Sequence, residues 1–134
     1  MKAEEGVAVS PQELVREFHA KYGVACAEKP TIPDEATYSL RLRLIEEELR
    51  EFEYATNIVS IADALGDLAY VVYGAALACG IDLQPVIEEI HRSNMTKNAP
   101  EKRSDGKIQK GEGWVPPDLA RALREQGASL PACE

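Results

Sequence analysis

Cysteine is scarce and shows no pairing pattern: Cys26, Cys79 and Cys133 are odd in number, widely spaced and form no CxxC pair. That excludes a disulfide framework and a cysteine zinc site, and predicts reduced thiols in a cytoplasmic setting. Histidine is nearly absent, with only His19 and His91. The longest apolar run extends only from Leu68 to Cys79; it is too short to span a bilayer, so no membrane is expected. Met1-Lys2-Ala3-Glu4-Glu5 leads into no apolar core, and no signal peptide is expected. No Ser or Cys has an evident partner base, which removes a covalent intermediate from the expected chemistry. There is no internal repeat and no low-complexity segment.

At 134 residues the chain is one domain by length, able to bury roughly 70% of its unfolded surface. A net charge of −8 disfavours a nucleic-acid polymer as partner. The charge is uneven. Residues 91–111 hold six cations (Arg92, Lys97, Lys102, Arg103, Lys107, Lys110) against Glu101 and Asp105, a local +4 that leaves −12 elsewhere. A basic segment beside an acidic body suits a metal–polyphosphate ligand better than a duplex.

The periodicity is helical throughout. Ser10, Pro11 and Glu13 form an N-terminal signature with a capping box, predicting a first helix that runs to about Tyr22 and stops at Gly23. Pro30 and Pro33 mark a loop over 24–34. A second helix over about 35–55 carries the stripe Tyr38, Leu42, Ile45, Leu49 and Phe52. Asn57 separates it from a third, over about 58–79, apolar on nearly every side and therefore covered by the fold or by a partner subunit. Asp82 caps a fourth helix to about Met95, with Pro85 inside the first turn. An irregular basic arm follows from about 98 to 134, with a turn at Asp105-Gly106 and a short helix begun by Pro116-Pro117-Asp118 and ending near Gln126. The expected fold is all-α: a single domain over 1–134, with a four-helix core at about 10–97 and the arm behind it.

Acids stand where these helices do not need them. At about 100° per residue, with Ile45 at zero, Glu48, Glu51 and Glu47 fall at ~300°, ~240° and ~200°, on one arc beside the apolar stripe, and are expected to be half-buried. Glu46 and Glu53 fall at ~100° and ~80°, on the other flank, and are expected to be solvated. On the third helix Asp63 and Asp67 are one turn apart on one face, continued by Ser60, Tyr70 and Gly74. Aspartate is a poor mid-helix residue, and its charge among Ala, Leu and Val is unfavourable unless compensated. The short link at Asn57 favours antiparallel packing, which could gather the five carboxylates around a hard cation such as Mg²⁺ or Mn²⁺. The alternatives are a solvated acidic face, or a buried salt bridge to Arg41, Arg43 or Arg50.

Glu47-Glu48-Leu49-Arg50-Glu51 and Leu65-Gly66-Asp67-Leu68 resemble the EExxE and ExxD signatures of the all-α nucleoside triphosphate pyrophosphohydrolases. That superfamily includes MazG-like proteins, dimeric dUTPases and phosphoribosyl-ATP pyrophosphohydrolases. Ala64 stands where the second signature has Glu, and Asp63 sits one residue earlier. The resemblance covers about 35–97. It implies Glu47, Glu48, Glu51, Asp63 and Asp67 as ligands of Mg²⁺ (or Mn²⁺). Glu47, Glu48 and Asp63 take part in catalysis, with Asp63 either ligand or water-orienting base. Ser93-Asn94-Met95-Thr96-Lys97 and Asp105-Gly106-Lys107 are similar to phosphate-contacting elements of MazG-like relatives. Asn94, Lys97 and Lys107 are thus substrate-binding candidates, with Tyr73 and Trp114 as base-stacking ones, although a lone Trp is commonly a packing anchor.

The implied reaction is attack of water on the α-phosphorus of a nucleoside triphosphate, giving a monophosphate and pyrophosphate. The resemblance favours dUTP as substrate, with phosphoribosyl-ATP or a broad set of dNTPs as alternatives. It also implies a homodimer or a dimer of dimers. Two rivals remain. A di-iron bundle needs two ExxH motifs; Glu88-Glu89-Ile90-His91 supplies one, but Arg16 stands three residues before His19. A non-catalytic helical module would use the acidic face to bind a basic partner.

Overall fold

Every helix of this protein begins at a short polar side chain that accepts a backbone N–H from the first turn. The structure, a computed structural model, describes residues 8–98 and 102–131; Glu101 and Cys133 lie outside them. The described residues form five helices: α1 Pro11–Tyr22, α2 Glu35–Tyr54, α3 Ile58–Ala78, α4 Leu83–Asn94 and α5 Leu119–Arg124. Their caps are Ser10, Asp34, Asn57, Asp82 and Asp118, each contributing about 0.5–2 kcal/mol relative to Ala. The all-α expectation holds, and α1 to α4 fall within a residue or so of their expected bounds.

The expected capping box at Ser10 is only half made. Ser10 Oγ accepts from Glu13 N, but the Glu13 carboxylate turns to Arg16 Nε at 3.3 Å. The reciprocal box forms instead at α3, where Asn57 Oδ1 accepts from Ser60 N and Ser60 Oγ accepts from Asn57 N. The last helix starts at Leu119, after its cap Asp118, rather than at the prolines.

The chain divides into two compact units, one ending at Ile81 and the other beginning at Asp82. In the first, α3 packs against both α1 and α2. Val15 and His19 of α1 and Ala64, Gly74, Ala76, Leu77 and Ala78 of α3 are buried. The loop after α1 lies along the end of α3 and satisfies its last carbonyls: Ala27 N donates to Leu77 O at 3.0 Å and Thr31 N to Cys79 O at 2.9 Å. Gly80 is required there. Its φ is +68°, and a Cβ on it would collide with the Lys29 carbonyl.

Cover is one-sided. No residue of α2 is buried, and the start of α3 is open, with Ile58 77% and Val59 75% exposed. The α3 helix (21 residues, mean hydropathy 1.4) is also long and apolar enough to cross a membrane. The length of the uninterrupted run understated it, because the residues before Asp67 belong to the same helix. Asp63 and Asp67 count against such a role, at about 2.5–3.5 kcal/mol for each acid at a bilayer centre.

In the second unit, Glu89 of α4 is buried and accepts from Arg92 Nη2 at 2.6 Å, Arg121 Nη2 at 3.2 Å and Asp118 N at 2.9 Å. These bonds, that of Arg92 foremost, lower its pKa to about 2. Ser93 Oγ donates to Val115 O, and Thr96 Oγ1 accepts from Val115 N. Gln126 grips Asp82 at both backbone groups, accepting from its N and donating to its O. The turn at Asp105-Gly106 forms as expected, closed by an antiparallel bridge between Lys102 and Ile108 with Gly106 at φ +90°.

His19 is 2% exposed, with Nδ1 3.4 Å from Cys26 Sγ. Burial first, and then the Arg41 charge, lower its pKa below 6.5, against the raising effect of the Ala25 backbone hydrogen bond. The unfolded chain therefore binds this proton more readily than the folded one. The stability from neutral His19 is complete above about 6.5 and is lost as pH falls through the lower folded value. The urea midpoint is expected to drop between pH 7 and pH 5, and His19→Gln to flatten that slope; an unchanged slope contradicts the assignment.

Candidate metal centre

The α2–α3 seam carries a repeated antiparallel pairing. Arg41 of α2 lies against Gly74 of α3. Two turns further along α2, and two turns back along α3, Glu48 and Glu51 meet Asp67. One oxygen from each of these three carboxylates lies within 4.8 Å of the others.

Glu48 is half-buried, and its Oε2 is enclosed without a hydrogen-bond partner. Its pKa is raised, chiefly by burial, then by the charges of Glu51 and Asp67, and by Glu47 least. Among the described residues no ion pair involves any of these acids: the pairs that form join Arg16 to Glu13, Arg92 and Arg121 to Glu89, Arg103 to Asp105 and Arg121 to Asp118. Salt bridges from Arg41, Arg43 or Arg50 are thus not what holds the acids together. An enclosed carboxylate oxygen with no donor, facing two further carboxylates, fits a hard divalent cation. Glu51 and Asp67 are exposed, which leaves room for the waters that a small cation retains.

The other expected site residues are placed as follows. Glu47 is exposed and outside the 4.8 Å group, although close enough to act on Glu48. Asp63 is exposed and also outside it. The expected half-buried trio is therefore one half-buried and two exposed acids, because none of the described residues covers that flank of α2. Glu46 and Glu53 are exposed, as their angles indicated. Tyr73 is half-buried on α3.

The remaining candidates belong to the second unit. Lys97 and Lys107 line a cavity of about 380 Å³ with Arg103, Ile108, Gln109 and Lys110. Asn94 is exposed at the end of α4. Trp114 has its Nε1 enclosed without a partner, while Lys110 Nζ lies 4.2 Å from the centre of its ring. Glu88, the acid of the ExxH rival, accepts from Gln84 Nε2, while its neighbour Glu89 is held by Arg92, Arg121 and Asp118 N.

Four features escaped the sequence reading. The Arg92–Glu89 pair has helical i,i+3 spacing and was readable. Arg121 and Asp118 N reach Glu89 from about 30 positions away, which no local spacing shows. The Arg41–Gly74 approach and the His19–Cys26 contact likewise exist only after packing.

Ionised Glu48 destabilises the fold, since its raised pKa means that the folded state holds the proton more tightly. Removing that charge should raise the metal-free thermal midpoint at pH 7–8, and the gain should close as pH falls toward 4.5. Mn²⁺ at a hundredfold excess over its Kd should stabilise the wild type by about 2.7 kcal/mol, and Glu48→Gln by clearly less. Equal metal stabilisation of both proteins counts against this centre.

The sequence profile of the phosphoribosyl-ATP pyrophosphohydrolase family matches residues 15–94. The match runs from within α1 to the last residue of α4 and takes in all three clustered acids. No curated protein matches the chain significantly. A profile covering well over half of this all-helical chain fixes its kinship: the protein belongs to the phosphoribosyl-ATP pyrophosphohydrolase family.

Proposed function

We propose that this pyrophosphohydrolase uses Mg²⁺ or Mn²⁺ to split the α–β phosphoanhydride of phosphoribosyl-ATP, releasing pyrophosphate. The observation that carries the metal reading is the enclosed, partnerless Oε2 of Glu48, on a carboxylate clustered with those of Glu51 and Asp67. Those three would hold the cation. When bound, it supplies neutralisation of the polyphosphate charge and makes water acidic enough to ionise near neutral pH. Glu47 and Asp63 remain outside the group and are the carboxylates free to accept the proton of the attacking water. The water oxygen bonds to the α-phosphorus, the bond to the bridging oxygen breaks, and pyrophosphate departs with that oxygen. Asn94, Lys97 and Lys107 offer donors and positive charge to phosphate oxygens; Tyr73 and Trp114 offer faces for a base.

The family match supports phosphoribosyl-ATP ahead of dUTP, the substrate favoured by sequence resemblance. A panel of phosphoribosyl-ATP, dUTP and the common dNTPs, assayed with Mg²⁺ and Mn²⁺, tests both levels of the proposal. Pyrophosphate is the expected product, fastest from phosphoribosyl-ATP. Faster turnover of dUTP overturns the substrate; orthophosphate release overturns the reaction. Glu51→Ala and Asp67→Ala should each lose at least the roughly 100-fold at the upper end of what partners of metal ligands confer.

The open apolar face also belongs to this reading. Leu42, Leu49 and Phe52 of α2 are 49%, 53% and 42% exposed, and Leu65 of α3 is 48% exposed. We assign that face to a second copy, as a homodimer or a dimer of dimers. Light scattering should give two or four times the 14.7 kDa chain mass; a monomer mass contradicts it. Free thiols at Cys26 and Cys79 support a reducing, cytoplasmic location.

A further inference from the structure

Arg41 is a half-buried cation on α2. Its Nε is enclosed and has no acceptor, and among the described residues no carboxylate forms an ion pair with it. Its guanidinium fills the place that a side chain on α3 would occupy: Nη1 lies 2.7 Å from where a Cβ on Gly74 would stand. The same built position is 3.4 Å from His19 Nε2. His19 is disposed to be neutral by burial, and the Cys79 thiol, which also feels the Arg41 charge, is held protonated by burial. Neither His19 nor Cys79 therefore supplies a compensating negative charge.

A part-buried charge without a counter-charge is unfavourable. The acids at Glu48 and Asp67 lie two helical turns away on the same seam, about 10 Å at 1.5 Å per residue, and their oxygens converge on one another instead. A planar guanidinium fork is matched to the oxygens of a phosphate.

We propose that Arg41, held in place by the missing side chain of Gly74, is an anion subsite that binds a second phosphate of the substrate, remote from the phosphorus attacked at the acid cluster. This rests on the nucleotide reading above and extends it to substrate orientation. The seam then has two ends of opposite charge, one for a cation and one for an anion. Two sources share this chemistry: the pyrophosphate portion of the polyphosphate chain, and a sugar monoester phosphate elsewhere on the substrate.

Calorimetric titration of metal-free protein with pyrophosphate and with ribose 5-phosphate separates the sources without requiring turnover. At least one probe should bind the wild type, tenfold or more weakly after Arg41→Met, and severalfold more weakly after Gly74→Ala. The latter keeps the charge and improves helix propensity, but pushes the guanidinium aside. Arg43→Met removes the same charge from an exposed position and should bind as the wild type does. In the metal-loaded enzyme, Arg41→Met should raise KM at least tenfold with kcat changed less than threefold, the signature of lost uniform binding. Binding of both probes unaffected by Arg41→Met and Gly74→Ala overturns the subsite, as does equal weakening by Arg43→Met. Arg41-dependent binding without pyrophosphate release from any nucleotide leaves the subsite standing and removes the reaction.

Discussion

The repulsion among Glu48, Glu51 and Asp67 sets the terms for the first unit. Three carboxylates converge across the α2–α3 seam with no cationic side chain among them. The helices that carry them must be held together by other contacts. On the α3 side these come from the buried Ala64, Gly74, Ala76, Leu77 and Ala78, and from the loop bonds of Ala27 and Thr31 to the α3 end. The α2 side contributes no buried residue. The helix packs along α3 more extensively than α1 does, yet every one of its residues stays partly open, and that makes both a cation and a covering second copy physically reasonable.

The helices were legible because their signals are local. Ser10, Asn57 and Asp82 were readable as caps or boundaries, Gly23 as a stop and Asp105-Gly106 as a turn, and each behaves so. The angular sorting of α2 also carried over in part: Glu48 and Glu51 face Asp67 while Glu46 and Glu53 face away. Its error lay in burial. A helical wheel gives direction and not cover, so Glu47 and Glu51 were expected to be half-buried on a flank that the chain leaves open. Glu89 shows the opposite limit. Among Glu88, Glu89, Ile90 and His91 it looked like part of a ligand motif, yet partners from α5 and its cap turn it into the centre of the second unit.

The two units use acids in opposed ways. Glu89 is surrounded by donors and titrates near 2, so it behaves as a permanent structural anion. Glu48 has an enclosed oxygen without a donor and is driven toward its protonated form by burial and its neighbours. The first is satisfied by the chain itself; the second is poised for something the chain does not contain. The pyrophosphohydrolase family match spans both acids and leaves the arm outside it.

The link between α2 and α3 is very short, and the Asn57–Ser60 box fixes where α3 begins. That makes Asn57 an origin from which position along α3 is counted. A residue gained or lost between Ser60 and Asp67 would rotate Asp67 by about 100° away from Glu48, whereas the loop at 24–34, before α2, lies outside that count. Within this unit, length variation compatible with the metal centre is thereby confined to stretches outside the α2–α3 hairpin.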